Sequence, residues 1–218
     1  MSGSTSAGSS AAQSAAWRTG LGVLTEATGT DRAGNIRTVA AAVLLDADGK
    51  LAGVTLDELE LSVSADGTGK VTTPTDTRTK RQKGDDYPLA AASSLKKGRA
   101  EQADDFADYL TGMTPEQASM LETDKDGKAT DADLLSGCTI RVDRYRDAVA
   151  KACTNAAALG AAKGDRVSLG VEAETSDFLT SVDALIAHLY AQGMAEKLLY
   201  VCGTQSMKRQ LTQAGLRL

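Results

Sequence analysis

Histidine is nearly missing from this 218-residue chain, which has one, His188. A Ser/His/Asp or Cys/His catalytic arrangement would have to use it. It falls in a helical pattern, where a packed or exposed imidazole is the ordinary case. Cysteine is as scarce: Cys138, Cys153 and Cys202 are odd in number and lack paired spacing, which argues against a disulfide framework. With His188 they lie far apart, so a structural zinc site is not expected. Aromatic residues make up 4% of the chain, while the 42% hydrophobic fraction is rich in alanine. The core is therefore expected to be small-grained, built of Leu, Val and Ala. No apolar run approaches the roughly 20 residues that a helix needs to cross a bilayer. Positive charge is not in excess either. The net charge is −5, which argues against a nucleic-acid-binding surface. The one short basic run, Lys80 to Lys83, meets Asp85 and Asp86 at once and reads as a solvated loop rather than a phosphate or partner contact.

Met1 to Ala16 is almost entirely Ser, Gly, Ala and Thr. Such a segment has nothing to bury and is expected to be disordered. No signal-peptide pattern is present. Low-complexity tethers of this kind follow the anchoring cysteine of bacterial lipoproteins, in which case Met1 stands where an export signal has been removed; a plain disordered tail is the alternative.

From Trp17 the chain becomes patterned. Leu21, Val23 and Thr25 alternate with Gly22 and Leu24 as in a short strand, and Ile36 to Leu45 is apolar with β-branched residues. Asp46-Ala47-Asp48-Gly49 supplies turn chemistry before Leu51 to Leu56, a hairpin with Gly49 at positive φ. Leu59, Leu61 and Val63 predict a further half-buried strand, and Val71 follows a second Gly turn. Pro74 to Pro88 is breaker-rich and reads as a long loop. Ala103, Phe106, Ala107 and Leu110 form the stripe of an amphipathic helix. Thr114-Pro115-Glu116-Gln117 is a helix start with a capping box, its helix running to about Glu122. Asp124-Lys125-Asp126-Gly127 is a turn that lacks the ligand ladder of a calcium loop. Asp131 to Ile140 reads as a loop entering a brief strand, and Asp143 caps a helix to about Leu159. Thr19 to Val23 and Ser168 to Val171 are similar, a match short enough to arise by chance.

After Gly160 the pattern becomes helix (Phe178 to Gln192), buried strand (Lys197 to Cys202) and helix (Ser206 to Ala214). The expected class is α+β: a small antiparallel sheet packed with helices over residues 17–160, then a C-terminal α-β-α appendage over 161–218. One strand cannot form a parallel sheet, so the appendage is docked on the first domain or is part of something truncated.

The most informative stretch is Asp133-Leu134-Leu135-Ser136-Gly137-Cys138-Thr139, followed by a helix carrying Asp147-Ala148-Val149. It resembles the D-x-x-S-G-A-T signature of the FMN-binding domain family, whose next helix often reads D-A-V. The order of elements fits that family. Gly84-Asp85-Asp86-Tyr87 and the helix near Glu101-Gln102-Ala103 look like repeats in its exported bacterial members. The resemblance covers residues 17–160. It implies FMN joined to Thr139 through a phosphoester installed by a flavin transferase, with Asp133, Ser136, Gly137, Cys138 and Thr139 forming the attachment motif. Amides at the start of the following helix would help hold the phosphate. The family's alanine is Cys138 here. Read from the residues alone, Ser136 to Thr139 is a turn into a strand, and a thiol beside a helix start is reactive only if its pKa is lowered; a buried small residue is the commoner case.

The last fifty residues resemble an internal segment of haloacid dehalogenase-type phosphatases, without a catalytic motif. Val43-Leu44-Leu45-Asp46-Ala47-Asp48-Gly49 is similar to the strand-D-x-D-G of that superfamily, whose two aspartates act as nucleophile and acid/base. Lys50 stands where that pattern has Thr, and Asp46 and Asp48 read first as turn residues. Three functions follow as expectations. The first is an exported, membrane-associated flavin carrier that passes electrons to a redox partner and is not itself an enzyme. The second is a flavin-free surface domain that binds a ligand or spaces other domains. The third is a phosphatase using Asp46 and Asp48.

Overall fold

The structure, a computed structural model, describes residues 16–30, 32–67, 71–72 and 74–173. The expected Ser/Gly/Ala tether, apart from Ala16, lies outside the described residues, as do the helix–strand–helix pattern after 178, Cys202 and His188. The described chain is α+β. Strands β1 (Arg18–Gly29), β2 (Ala33–Leu45), β3 (Leu51–Ala65) and β4 (Val71–Thr72) form a four-stranded antiparallel sheet in that order, with six helices packed against it.

The chain divides into two compact units. The described part of the first comprises residues 16–27, Ile36–Leu61 and Thr77–Ala173. Its core is the small-grained one expected: Val39, Ala41, Val43 and Leu45 of β2 meet Phe106, Ala107, Leu110, Ile140, Val142, Tyr145, Ala148 and Val149 from the helices and the turn before the last one. Every residue from Val39 to Leu45 is buried, so β2 is covered on both faces, a requirement its unbroken apolar run meets. The described part of the second comprises residues 28–30, 32–35, 62–67, 71–72 and 74–76. Within it the Thr30 N–H donates to Ala33 O at 2.7 Å, the Ala65 N–H donates to Arg32 O at 2.8 Å, and Ser64 and Ala65 pair antiparallel with Thr72 and Val71.

The hairpin between β2 and β3 forms as its residues predict. Gly49 has φ +78°, and Asp46 Oδ1 accepts the N–H groups of Asp48 and Lys50 at 2.9 and 2.8 Å. The same device recurs at Asp124-Lys125-Asp126-Gly127. Asp124 Oδ1 accepts from the N–H groups of Asp126 and Lys128 at 2.8 and 2.9 Å, and Gly127 has φ +76°. In both, an aspartate carboxylate substitutes for a backbone acceptor and glycine takes the left-handed residue.

Several elements differ from expectation. Leu51 to Leu56 and Leu59 to Val63 are one strand, β3, because no breaker separates them. The stretch from Pro74 to Pro88 contains helix α1 (Lys80–Lys83) and a 3₁₀ turn at Gly84–Asp86, followed by α2 (Leu89–Ala92). Helix α1 is nucleated by a capping box: Thr79 Oγ1 accepts the Gln82 N–H at 3.1 Å and Gln82 Oε1 accepts the Thr79 N–H at 2.7 Å. Lys80 is buried, which corrects the solvated-loop expectation; a buried carboxylate described below draws it in. Helix α3 (Arg99–Leu110) carries the predicted stripe, and α4 (Pro115–Ser119) has the predicted Thr114 cap. Helix α5 (Ala132–Leu135) replaces part of the expected loop. Helix α6 (Asp143–Thr154) has Val142 as its cap, and it stops at Thr154 because Ala157 exchanges two 3.0 Å backbone hydrogen bonds with Thr19 of β1.

Helix α6 lies directly on β1. A Cβ on Gly20 would fall 2.0 Å from the Ala152 carbonyl oxygen, and one on Gly22 would fall 2.1 Å from that of Ala148. The Gly-x-Gly spacing puts both bare positions on one face of the strand. Asn155 Nδ2 and Lys151 Nζ donate to the β1 carbonyls of Leu21 and Val23 at 2.9 and 2.8 Å. Residues 161–173 run back over the first unit: Val167 lies beside Gly53 and accepts from Thr55 Oγ1 at 3.0 Å.

Candidate functional site

The signature turn is built from Asp131 onward. Asp131 Oδ1 accepts from the N–H groups of Asp133 and Leu134 at 3.0 and 3.1 Å, capping α5. The Leu134 N–H bond holds the Asp131 carboxyl below the usual range. Leu134 is buried and anchors the turn, and its carbonyl accepts from the N–H groups of Gly137 at 3.1 Å and Cys138 at 2.8 Å, closing the helix. Ser136 Oγ donates to Asp133 O at 2.7 Å. Ser136 and Asp133 are exposed, and Asp133 enters the turn through its backbone. The acidic residue that shapes the turn is thus Asp131, two positions before the one the signature names.

Gly137, Cys138 and Thr139 are brought against α3. A Cβ on Gly137 would lie 3.2 Å from Asp105 Cβ, so glycine allows the close approach. Cys138 is 0% exposed and belongs to the core; burial, partly offset by the Ile140 N–H and by Arg99, pushes its thiol up to about 11. The expectation of a small buried residue describes it, and its thiol is not activated. Thr139 is half-buried, and both its N–H and its hydroxyl donate to a single atom, Gln102 Oε1, at 2.9 and 3.1 Å. Gln102 Nε2 in turn donates to Ser93 Oγ at 3.1 Å and to Lys97 O at 3.0 Å. Lys97 Nζ pairs with Asp105 Oδ2 at 2.6 Å, and that bond raises the Lys97 pKa.

The start of α6 does not serve as the expected phosphate cradle. The N–H groups of Val142 and Asp143 both donate to Gly127 O, at 2.8 and 3.1 Å, and the Asp143 carboxylate occupies the first turn. Amides that already have an acceptor, beside a resident negative charge, are a poor anion site. The chemistry of Thr139 itself still suits a phosphoester. Its hydroxyl meets a neutral carbonyl rather than a carboxylate, and the same network includes the backbone carbonyl of Lys97, whose ammonium pairs with Asp105.

Sequence reasoning missed Gln102, Asp131 and Lys97. The signal for Gln102 was an amide on the apolar stripe of α3, next to Ala103 and one turn from Phe106. A polar side chain in that place needs a buried partner.

A second polar cluster lies around Glu58 of β3, whose side chain is fully buried. Arg37 Nε at 2.6 Å and Lys80 Nζ at 2.7 Å share its Oε1, and Arg99 pairs with Oε2. Lys80 also reaches Glu60 at 2.7 Å, and Arg99 lies 5.4 Å from the centre of the Tyr145 ring. Burial alone would raise the Glu58 pKa, but attraction to Arg99 and Lys80 and hydrogen bonds from Lys80 and Arg37 bring it down to about 2. The cluster ties β2, β3, α1 and α3 together and reads as structural.

Among the described residues no group of three or more His, Cys, Asp or Glu side chains could hold a metal ion, and no helix is long and apolar enough to cross a membrane. Comparison with family models, curated proteins and solved structures returns no match.

Proposed function

We propose that this domain is an extracytoplasmic electron carrier that holds FMN through a phosphoester on Thr139. The observation that carries the proposal is the paired donation of the Thr139 N–H and hydroxyl to Gln102 Oε1, at 2.9 and 3.1 Å. It joins the two stretches on which the family resemblance rests, Asp133 to Thr139 and Glu101-Gln102-Ala103, and it holds one hydroxyl in a single orientation on a closed turn. When bound, FMN supplies one- and two-electron transfer, while the protein contributes position and electrostatics. Thr139 would carry the phosphoester, and Gly137 and Cys138 would hold the turn against α3. The partners are a flavin transferase for maturation and a redox protein. Membrane association would run through an N-terminal lipid anchor.

Co-expression with a flavin transferase in a periplasm tests the proposal by intact mass and visible absorbance. The expected result is a gain of one FMN that Thr139→Ala abolishes. A second reading, a flavin-free surface binding or spacer domain, is favoured by the burial of Cys138 and the half-burial of Thr139, since packing alone is reason to keep such a turn. An unlabelled wild-type chain supports that reading and sinks the first.

A further inference from the structure

We propose that Gln102 is the positioning residue for phosphoryl transfer to Thr139, an inference that rests on the flavin reading of that threonine. Gln102 is 0% exposed. Its amide has two acceptor lone pairs and two donor hydrogens, and all four are used: Oε1 by the N–H and hydroxyl of Thr139, Nε2 by Ser93 Oγ and Lys97 O. A flipped amide would set its NH₂ against the Thr139 N–H and its oxygen against the Lys97 carbonyl, so only one orientation satisfies the site. The hydroxyl rotor of Thr139 is then locked as well. Its one hydrogen is given to Gln102, which leaves its lone pairs unused by that contact.

Those lone pairs are what an acceptor hydroxyl must present. FMN itself carries no leaving group better than water, so the donor is a flavin pyrophosphate. Thr139 Oγ1 bonds to the flavin-side phosphorus, and the anhydride P–O bond breaks with its electron pair leaving on the departing nucleotide phosphate. The hydroxyl keeps its hydrogen on Gln102 Oε1 until the bond to phosphorus forms; the hydrogen then turns away from Gln102 and leaves to a base of the transferase, because an amide carbonyl is too weakly basic to keep it. No atom changes oxidation state. Gln102 accordingly holds the hydroxyl without exchanging a proton with it. A positioning contact of this kind accounts for about a hundredfold in rate when lost.

The test follows FMN incorporation into the full chain, with purified flavin transferase and flavin dinucleotide, by intact mass over time. Gln102→Leu is expected to slow incorporation about a hundredfold through kcat, with KM for the dinucleotide unchanged. Gln102→Glu keeps both acceptor contacts to Thr139 but loses both donor bonds and buries a charge. It is expected to stay within about tenfold of wild type and to gain a rise in rate with pH as its carboxyl ionises. A purely structural role predicts the reverse order, with Gln102→Glu at least as impaired as Gln102→Leu, and that order overturns the proposal. So does a wild-type rate in Gln102→Leu. If Gln102→Leu does not fold, Gln102→Asn decides in its place: its carbonyl is one methylene short of the hydroxyl, and an unchanged rate counts against positioning. A wild-type chain that takes up no flavin removes the flavin reading and this inference together, whereas a labelled wild type beside an equally labelled Gln102→Leu removes this inference alone.

Discussion

Lys80 Nζ sits 2.7 Å from Glu58 Oε1, its own side chain 8% exposed and the carboxylate fully buried. Two charges taken this far from water hold each other and two arginines in place, and breaking such a group leaves uncompensated charge inside the protein. Glu58→Gln is expected to cost about 3–5 kcal/mol, read as a lower urea midpoint with unchanged slope.

The same carboxylate makes stability depend on acid. Its folded pKa is about 2 against an ordinary 4.5. A depressed carboxyl contributes fully above its unfolded pKa and loses that contribution as pH falls from 4.5 through 2, a change on the order of 3 kcal/mol. Urea midpoints should therefore be level near about pH 6 and drop by about pH 3, and Glu58→Gln should flatten that drop. A wild-type midpoint that stays level over this range would contradict the assignment.

The contact of α6 with β1 tolerates no side chain at two positions. Gly22→Ala places a methyl 2.1 Å from the Ala148 carbonyl oxygen, which is backbone and cannot swing away. The helix must shift, at about 1–3 kcal/mol or more, lowering Tm by several degrees. Gly20→Ala should behave alike, while Gly67→Ala, where a Cβ would meet nothing within 4 Å, should leave stability unchanged within about 0.5 kcal/mol.

The two described thiols should be sluggish. Burial raises Cys138 to about 11, and burial with the nearby Glu116 carboxylate raises Cys153 to about 11, from an ordinary 9.0. At neutral pH the thiolate fraction falls about a hundredfold, so a thiol reagent should label these positions slowly until the protein unfolds. Cys138→Ala should cost about 1 kcal/mol, and Cys138→Ser more, since its hydroxyl would enter the core at 0% exposure.

The signature turn separates two aspartates by role. Asp131→Ala removes the cap of α5 and should cost about 1 kcal/mol while speeding amide exchange at Gly137 and Cys138. Asp133→Ala, exposed and engaged only through its backbone, should stay within about 0.5 kcal/mol of wild type. Equal effects would mean that the turn depends on the signature's own acidic residue after all.

What could be read from residue order alone follows how local each cause is. Gly49, the Thr114 cap and the stripe of α3 rest on neighbours within four residues, and all are present as expected. Lys80 looked like part of a solvated basic run because its partner, Glu58, lies 22 residues away on another element. Gln102 and Thr139 are 37 residues apart, and no periodicity links an amide on one helix to a hydroxyl on a distant turn. The start of α6 looked open because Gly127, whose carbonyl fills it, belongs to a separate turn. Pairings closed by tertiary structure are invisible to local pattern, and the candidate site consists mostly of them.

The side chains of Asn155 and Lys151 on the carbonyls of Leu21 and Val23 have a consequence for the protein at high concentration. Among the described residues β1 is an outermost strand, and an outermost strand with free carbonyls templates growth by any passing chain. Here two of those acceptors are occupied from within, and a charged ammonium sits on one of them. The strand at the opposite margin, β4, is two residues long and offers little to copy. A chain at high concentration is thereby protected from polymerising edge to edge, and a variant such as Lys151→Met would expose this protection as a loss of colloidal stability before any loss of fold.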